Sequence, residues 1–158
     1  MRIGHSYDIH RLVLDRPLIL GGIHIDHPKG LLGHSDADVV YHVVAESIIG
    51  ALGQGDLGTH FSDKDPQYHN KDSSYFVQEA VHMMKNAGYR IGNIDITVYL
   101  EIPILKDFKP QMCENISRLL EVTPSQVNLK ATRGEGLGYI GRQEGIASEA
   151  VVLLVKKE

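Results

Sequence analysis

Residues 1–10 alternate between two kinds of side chain. Odd positions from Ile3 to Ile9 are bulky, whereas even positions from Gly4 to His10 are small or polar. Because neighbouring side chains of a β-strand point to opposite faces, this pattern predicts a strand with one polar face. Small residues followed by an acid and an imidazole are expected where a strand borders a cavity at one end.

Apolar residues at helical spacing predict three helices further along the chain. The first is expected to end near Leu52 and to carry an apolar stripe on one side. The second is expected to end at Gly88, which suits a helix C-terminus. Capping residues and a proline mark the expected starts, which are Asp36 or Asp38, Asp72 or Ser73, and Pro110.

Alternating apolar residues predict three more main strands, at residues 94–100, 127–131 and 145–155. The Gly21-Gly22 pair between two short apolar runs predicts a hairpin. Residues 27–33 and the polar segment 53–66 are interpreted as loops. These elements predict an α/β fold of the α+β two-layer sandwich type, with helices on one face of a mixed four-stranded sheet. The length of 158 residues suits a single domain, residues 1–158.

Charge and composition exclude several functional classes. The net charge is −4 and the basic residues are scattered, so a nucleic-acid partner is not expected. No apolar run approaches the ~20 residues that span a bilayer, so no membrane partner is expected either. Cys113 is the one cysteine, which excludes an intrachain disulfide and fits a reducing, cytoplasmic location. Nine histidines against one cysteine favour a metal site of imidazoles and carboxylates.

Asp8, His10 and His42 are the candidate metal ligands. Asp8 and His10 lie two apart on one predicted strand face and can therefore reach the same point. Alone they could equally form a polar strand end, but His42 on the first helix offers a third ligand. One carboxylate and two imidazoles with an open fourth position is typical of catalytic zinc. Asp38 is interpreted as a helix cap or a support for the ligands.

Short motifs run through the whole chain in a specific order. Through them the chain resembles the 2-C-methyl-D-erythritol 2,4-cyclodiphosphate synthases. The motifs are Asp8-x-His10, His34-Ser35-Asp36, Asp38 with His42, Gly55-Asp56-Leu57-Gly58, Phe61-Ser62-Asp63-x-Asp65-Pro66, Val127-Asn128-Leu129-Lys130-Ala131-Thr132 with Glu135, and Gly141-Arg142-x-Glu144-Gly145.

This resemblance implies a reaction, an assembly and two metals. The family converts 4-CDP-2-C-methyl-D-erythritol 2-phosphate, a nucleotide-diphosphate substrate, into the cyclic diphosphate and CMP on the non-mevalonate route to isoprenoids. It forms homotrimers with the sheets toward the three-fold axis and active sites between subunits. Zn2+, or another divalent transition metal, is implied on Asp8, His10 and His42. A second ion, Mg2+ or Mn2+, is implied between Glu135 and the diphosphate.

The resemblance also implies roles for residues around the substrate. His34 is expected to act on a phosphate group as a catalytic residue. Residues implied at the erythritol phosphate end are Ser35, Asp56, Leu57, Gly58, Phe61, Asp63 and Asp65. Residues implied around the nucleotide are Leu100, Pro103, Ile104, Leu105, Lys106, Ala131 and Thr132. Tyr139 and Arg142 complete the set, and Arg142 lies near the trimer axis, where some members bind an isoprenoid diphosphate.

Two segments at the nucleotide end depart from the family pattern. Arg133 stands where a threonine usually contacts the diphosphate, so it is expected either to act catalytically on that group or to fill the pocket. The segment Leu100-Glu101-Ile102-Pro103-Ile104 replaces the usual Ala-Gln-x-Pro-Lys, and Lys106 is expected to restore part of the lost charge. These departures leave two alternative functions open. The chain could be a non-catalytic relative that binds isoprenoid diphosphates, or a metallohydrolase of nucleotide diphosphates.

Overall fold

One face of a mixed five-stranded sheet is covered by helices, and a two-stranded hairpin lies beside it. The computed structural model describes residues 1–157. Its strands are β1 (Arg2–Leu14), β2 (Leu18–Leu20), β3 (Ile23–Ile25), β4 (Lys29–Leu31), β5 (Tyr89–Tyr99), β6 (Val127–Thr132) and β7 (Gly145–Lys156). Its helices are α1 (Val39–Leu52), α2 (Leu57–His60), α3 (Ser74–Asn86), α4 (Lys109–Leu120) and α5 (Gly138–Gly141), with 3₁₀ turns at Pro66–Tyr68 and Pro124–Gln126.

The strand order across the sheet is β4-β1-β7-β5-β6, and β5–β6 is its parallel pair. The predicted α/β fold is therefore confirmed, with one strand more than expected. That strand is β4, which lies within residues 27–33, and Leu31 pairs with Leu12 of β1. The loop prediction was wrong there because three residues are too few to show an alternating pattern. Their extended form depends on β1 continuing beyond His10 to offer an edge.

The predicted hairpin agrees with the structure, whereas the predicted loop 53–66 agrees only in part. β2 pairs with β3 through a turn in which Gly21 and Gly22 both have positive φ, at 57° and 74°. Such a turn matches the twist of the flanking strands, and its positive φ angles favour glycine at both positions. Segment 53–66, predicted as a polar loop, contains the four-residue helix α2, which is too short to give a periodic signal.

Among residues 1–157, no helix combines the length and hydropathy needed to cross a membrane.

Helix α1 is the centre of the core and is buried almost all round. The apolar stripe predicted for it was too narrow, because β1 and β7 cover one side while α3 packs on another. Gly4 on β1 makes this close approach feasible. A Cβ atom at Gly4 would lie 1.9 Å from the carbonyl oxygen of Ser47 on α1.

The carboxylate of Asp38 holds the start of α1 against the hairpin. It accepts hydrogen bonds from the backbone N–H groups of Val40 and Tyr41 at 3.1 and 3.2 Å, which caps the helix. It also accepts from Gly21 and Gly22 at 3.0 and 2.7 Å. Burial raises the pKa of Asp38 to about 6, and the glycine N–H bonds limit the rise. The predicted capping role is confirmed, and the links to the hairpin add to it.

We expect Asp38→Ala to lower the free energy of unfolding by about 2–4 kcal/mol, because it removes a helix cap and leaves buried N–H groups without acceptors. Urea unfolding at a fixed protein concentration measures this change. Asp107→Ala, at an exposed loop position, is the control and should stay within about 0.5 kcal/mol of the parent. Equal stability of the two variants would contradict the role given to Asp38.

Candidate metal centre

Three side chains from two elements converge at one end of the helix-covered face of the sheet. Asp8 and His10 project from β1 on the same face as buried Ser6. His42 lies in the first turns of α1, which crosses above β1. Asp8 Oδ2 is 3.0 Å from His42 Nδ1 and 3.1 Å from His10 Nε2, and the two nitrogens are 3.2 Å apart.

This triangle of donor atoms fits a metal ion. A tetrahedral zinc with ligands at about 2.0–2.1 Å separates neighbouring ligand atoms by roughly 3.3 Å. The observed separations of 3.0–3.2 Å are close to that value. Two imidazoles and one carboxylate also match the donor set of zinc sites that leave one position open for a ligand. The three residues could therefore hold a divalent metal ion.

Hydrogen bonds to the outer ring nitrogens prepare both imidazoles for this task. His10 Nδ1 lies 2.9 Å from the carbonyl oxygen of Leu32, which accepts its proton and orients Nε2 toward Asp8 and His42. His42 Nε2 lies 3.0 Å from Ser73 Oγ and 3.1 Å from Ser35 Oγ. A proton on this Nε2 leaves Nδ1 free to face Asp8. Such partners fix the tautomer and the ring orientation of metal-binding histidines.

The same contacts shift the ionisation of Asp8 and His10. Burial acts to raise the pKa of Asp8, but hydrogen bonds from His10 and His42 outweigh it and hold this pKa well below its usual range. Burial acts to lower the pKa of His10, and the hydrogen bond to Asp8 outweighs it, so the net direction is upward. The Asp8 carboxylate therefore stays ionised and can attract a cation.

A cavity of about 510 Å³ opens beside the three residues. Most residues predicted for the erythritol phosphate end lie in its wall. They are His34, Ser35, Leu57, Gly58, Phe61 and Asp63. His34 Nε2 lies 3.1 Å from the carbonyl oxygen of Asp65, which fixes the ring at the cavity edge. Ser35 is buried, and its hydroxyl points to His42 rather than standing free in the cavity.

Two residues that contact this site were missed by the sequence prediction. Ser73 lies between His42 and Asp36 and hydrogen-bonds both of them. Glu46 lines the cavity itself, where it accepts hydrogen bonds from the Ser6 hydroxyl and, at 3.2 Å, from the Leu57 N–H. Glu46 is one helical turn after His42, which was an available signal. Ser73 is 31 positions from His42, and no local pattern connects them.

A second cavity, of about 310 Å³, lies at the ends of β5 and β6. It collects the predicted nucleotide residues, which are Leu100, Pro103, Ile104, Leu105, Lys106, Ala131, Thr132 and Arg133. Among residues 1–157 it shares no lining residue with the first cavity. Strand pairing puts Asp8 level with Ala131 but three strands away, which is about 14 Å.

Five predicted site residues lie outside both cavities, and two of them are engaged as helix caps. Asp56 accepts from the N–H of Thr59 at 2.8 Å and caps α2. Asp65 caps the 3₁₀ turn at Pro66–Tyr68.

The other three lie near the second cavity or at the bare face of the sheet. Glu135 is an exposed residue two positions after Arg133. Tyr139 borders a smaller pocket next to His10, and Arg142 pairs with Glu144 at 2.8 Å.

Comparisons with known proteins agree over the whole chain. The profile of the YgbB family matches residues 1–155. The 2-C-methyl-D-erythritol 2,4-cyclodiphosphate synthase of Shouchella clausii is 49% identical over 158 residues, 100% of this chain and 99% of the relative. The structure of Plasmodium falciparum IspF in complex with CDP is 36% identical with a TM-score of 0.88, covering 99% of this chain and 97% of that one. The bifunctional IspDF from Campylobacter jejuni is 38% identical with a TM-score of 0.95. The match covers 99% of this chain and 42% of the longer IspDF chain.

Proposed function

The chain belongs to the YgbB family, and on that premise we propose how its two cavities carry out the synthesis for which its relatives are named. The protein converts 4-CDP-2-C-methyl-D-erythritol 2-phosphate into 2-C-methyl-D-erythritol 2,4-cyclodiphosphate and CMP, and is thus a phosphorus–oxygen lyase of isoprenoid synthesis. The alternative of a non-catalytic diphosphate-binding relative finds no support among relatives named as synthases. The observation that carries the assignment of roles is the triad beside the first cavity.

The reaction needs two anionic groups brought together rather than a protein nucleophile. An oxygen of the substrate's 2-phosphate forms a bond to the β-phosphorus. The bond from that phosphorus to the bridging oxygen breaks, and CMP leaves with the electron pair. Holding the attacking and leaving groups in line supplies much of the rate enhancement. The two cavities provide separate places for the two ends of a long substrate.

We assign the first cavity to the methylerythritol phosphate end. Asp8, His10 and His42 would hold Zn2+, and Glu135 would hold Mg2+ or Mn2+. Such ions, when bound, polarise phosphoryl oxygens and neutralise developing charge. His34 Nε2 faces the Asp65 carbonyl, so Nδ1 is the atom left for a phosphate oxygen, and the ring donates to that oxygen in its doubly protonated form.

The second cavity is assigned to the cytidine diphosphate. Its floor is apolar, with Leu100 and Leu105 buried, and its rim carries Lys106, Lys109 and Arg133. Cations around an apolar slot suit a base that inserts and a diphosphate that remains at the rim. The complex of a related protein with CDP supports a nucleotide diphosphate as the occupant.

A homotrimer is proposed from the face of the sheet opposite the helices. That face carries Ile3 and Val151 with 72% and 45% of their surfaces exposed, together with Tyr7 and Ile9. Large apolar patches on a sheet normally mark an interface. The resemblance described above implies three-fold contact through these strands. Cys113 is a free thiol, and a reducing, cytoplasmic location is proposed on that basis.

Phosphorus NMR of the CDP-methylerythritol phosphate substrate with the protein, zinc and magnesium tests the reaction. We expect CMP and the cyclic diphosphate to appear together. CMP together with an open-chain product would instead identify the metallohydrolase. Unchanged substrate with zinc-loaded protein would overturn the catalytic assignment.

We expect His42→Ala to weaken zinc binding at least about 100-fold, because it removes one of the three proposed ligands, and the loss of a mere supporting partner already costs about 10–100-fold. Competition with a chromophoric chelator measures the zinc affinity. His82→Ala, which changes an exposed histidine on α3, is the matched control and should bind zinc as the parent does. Equal zinc affinity of both variants would refute the ligand assignment.

We expect the parent protein to sediment as a trimer and Ile3→Lys to dissociate it, since a lysine there would bury a charge at the interface. Sedimentation velocity at micromolar concentration measures the assembly. Ile104→Lys changes the same residue type at nearly the same exposure, 73% against 72%, away from this face. The trimer should persist in Ile104→Lys. A monomeric parent or a trimeric Ile3→Lys would count against the proposed interface.

A further inference from the structure

The two departures from the family pattern meet each other in space. Glu101 follows β5 and Arg133 follows β6, and both line the second cavity. Arg133 Nη2 donates to Glu101 Oε1 at 2.8 Å. The other carboxylate oxygen, Oε2, accepts from the backbone N–H of Gly134 at 2.9 Å. One carboxylate therefore fixes both the side chain of Arg133 and the backbone that follows it.

The pair is asymmetric in its exposure. The Glu101 side chain is 8% exposed, whereas the Arg133 side chain is 59% exposed. A ligand in the cavity meets the guanidinium first, and the carboxylate lies behind it. The hydrogen bond from Arg133, with a further one from Gly134, lowers the pKa of Glu101, so the carboxyl group is ionised at neutral pH.

Most of the guanidinium donors remain available to a ligand. Within residues 1–157, Arg133 makes a side-chain hydrogen bond to Glu101 through Nη2 alone. Its Nε and Nη1 groups are left for oxygens of a phosphate. The planar fork of arginine suits such oxygens, and Lys106 and Lys109 add charge at the same rim.

We propose that Glu101 is a positioning residue that holds the guanidinium of Arg133 at the mouth of the second cavity for a nucleoside diphosphate. This inference rests on the proposed function, because that function supplies the ligand. Glu101 does not touch the diphosphate itself. It acts by restricting a long side chain that would otherwise lose conformational freedom when the ligand binds. The same carboxylate fixes the turn that leads to Glu135.

Coupling between the two residues in CDP binding distinguishes this role from simple charge attraction. We expect Arg133→Ala to raise the dissociation constant for CDP about tenfold, equal to roughly 1.4 kcal/mol. Glu101→Gln keeps the side-chain shape but removes the charge. In that background, Arg133→Ala should raise the dissociation constant for CDP less than about threefold. A residue pair in contact shows this kind of non-additivity, whereas independent residues do not.

The experiment is isothermal titration of the full-length, metal-loaded protein with CDP. Lys109→Ala is the matched control. Lys109 is a cation of the same cavity, and Glu101 pairs with Arg133 instead of with Lys109. Its effect should be equal in the Glu101 and Glu101→Gln backgrounds. Cytidine, which lacks phosphates, should bind the Arg133→Ala variant as well as it binds the parent. If Glu101→Gln fails to fold, Glu101→Asp replaces it in the cycle, because its shorter side chain cannot reach both partners.

The pattern of affinity losses separates the positioning role from the nucleotide site itself. Non-additivity confined to the Glu101 and Arg133 pair supports the positioning role. An equal loss from Arg133→Ala in both backgrounds overturns it while leaving the nucleotide site intact. Absence of CDP binding by the parent protein would overturn the proposed function of the cavity, and the inference with it.

Discussion

The buried carboxylate of Asp38 is the interaction on which the remaining structure depends. Its four backbone hydrogen bonds join the start of α1 to the hairpin turn at Gly21 and Gly22. Helix α1 fills the centre of the core and carries His42 one turn after this cap. A single polar group therefore sets both the packing of the main helix and the position of the His42 imidazole, a candidate metal ligand.

The candidate metal centre shows how the scaffold arranges three donor side chains. β1 supplies two donors from one face, and α1 brings the third to within 3.2 Å. The carbonyl of Leu32 and the hydroxyl of Ser73 hold the outer ring nitrogens. These partners come from segments without regular structure, so the site depends on the packing of loops against the two elements.

At the second cavity, two unusual residues compensate for each other. Taken singly, Arg133 places an unexpected cation beside the pocket and Glu101 an unexpected anion. Together they form a pair whose carboxylate is inside and whose guanidinium faces the cavity. Of the two alternatives expected for Arg133, the structure does not show the one in which it fills the pocket, because the side chain turns toward Glu101 and leaves a cavity of about 310 Å³.

The sequence by itself determined the main strands, the three long helices and the hairpin, because each has a local period or a characteristic residue spacing. It also offered Asp8, His10 and His42 as candidate metal ligands, through the two-residue spacing on β1 together with the resemblance of the motifs. The tertiary structure alone decided the edge strand β4, the full burial of α1, the Ser73 contact to His42 and the pairing of Glu101 with Arg133. These features join residues far apart in the chain. No local pattern encodes such contacts, since they arise only when separate elements pack together.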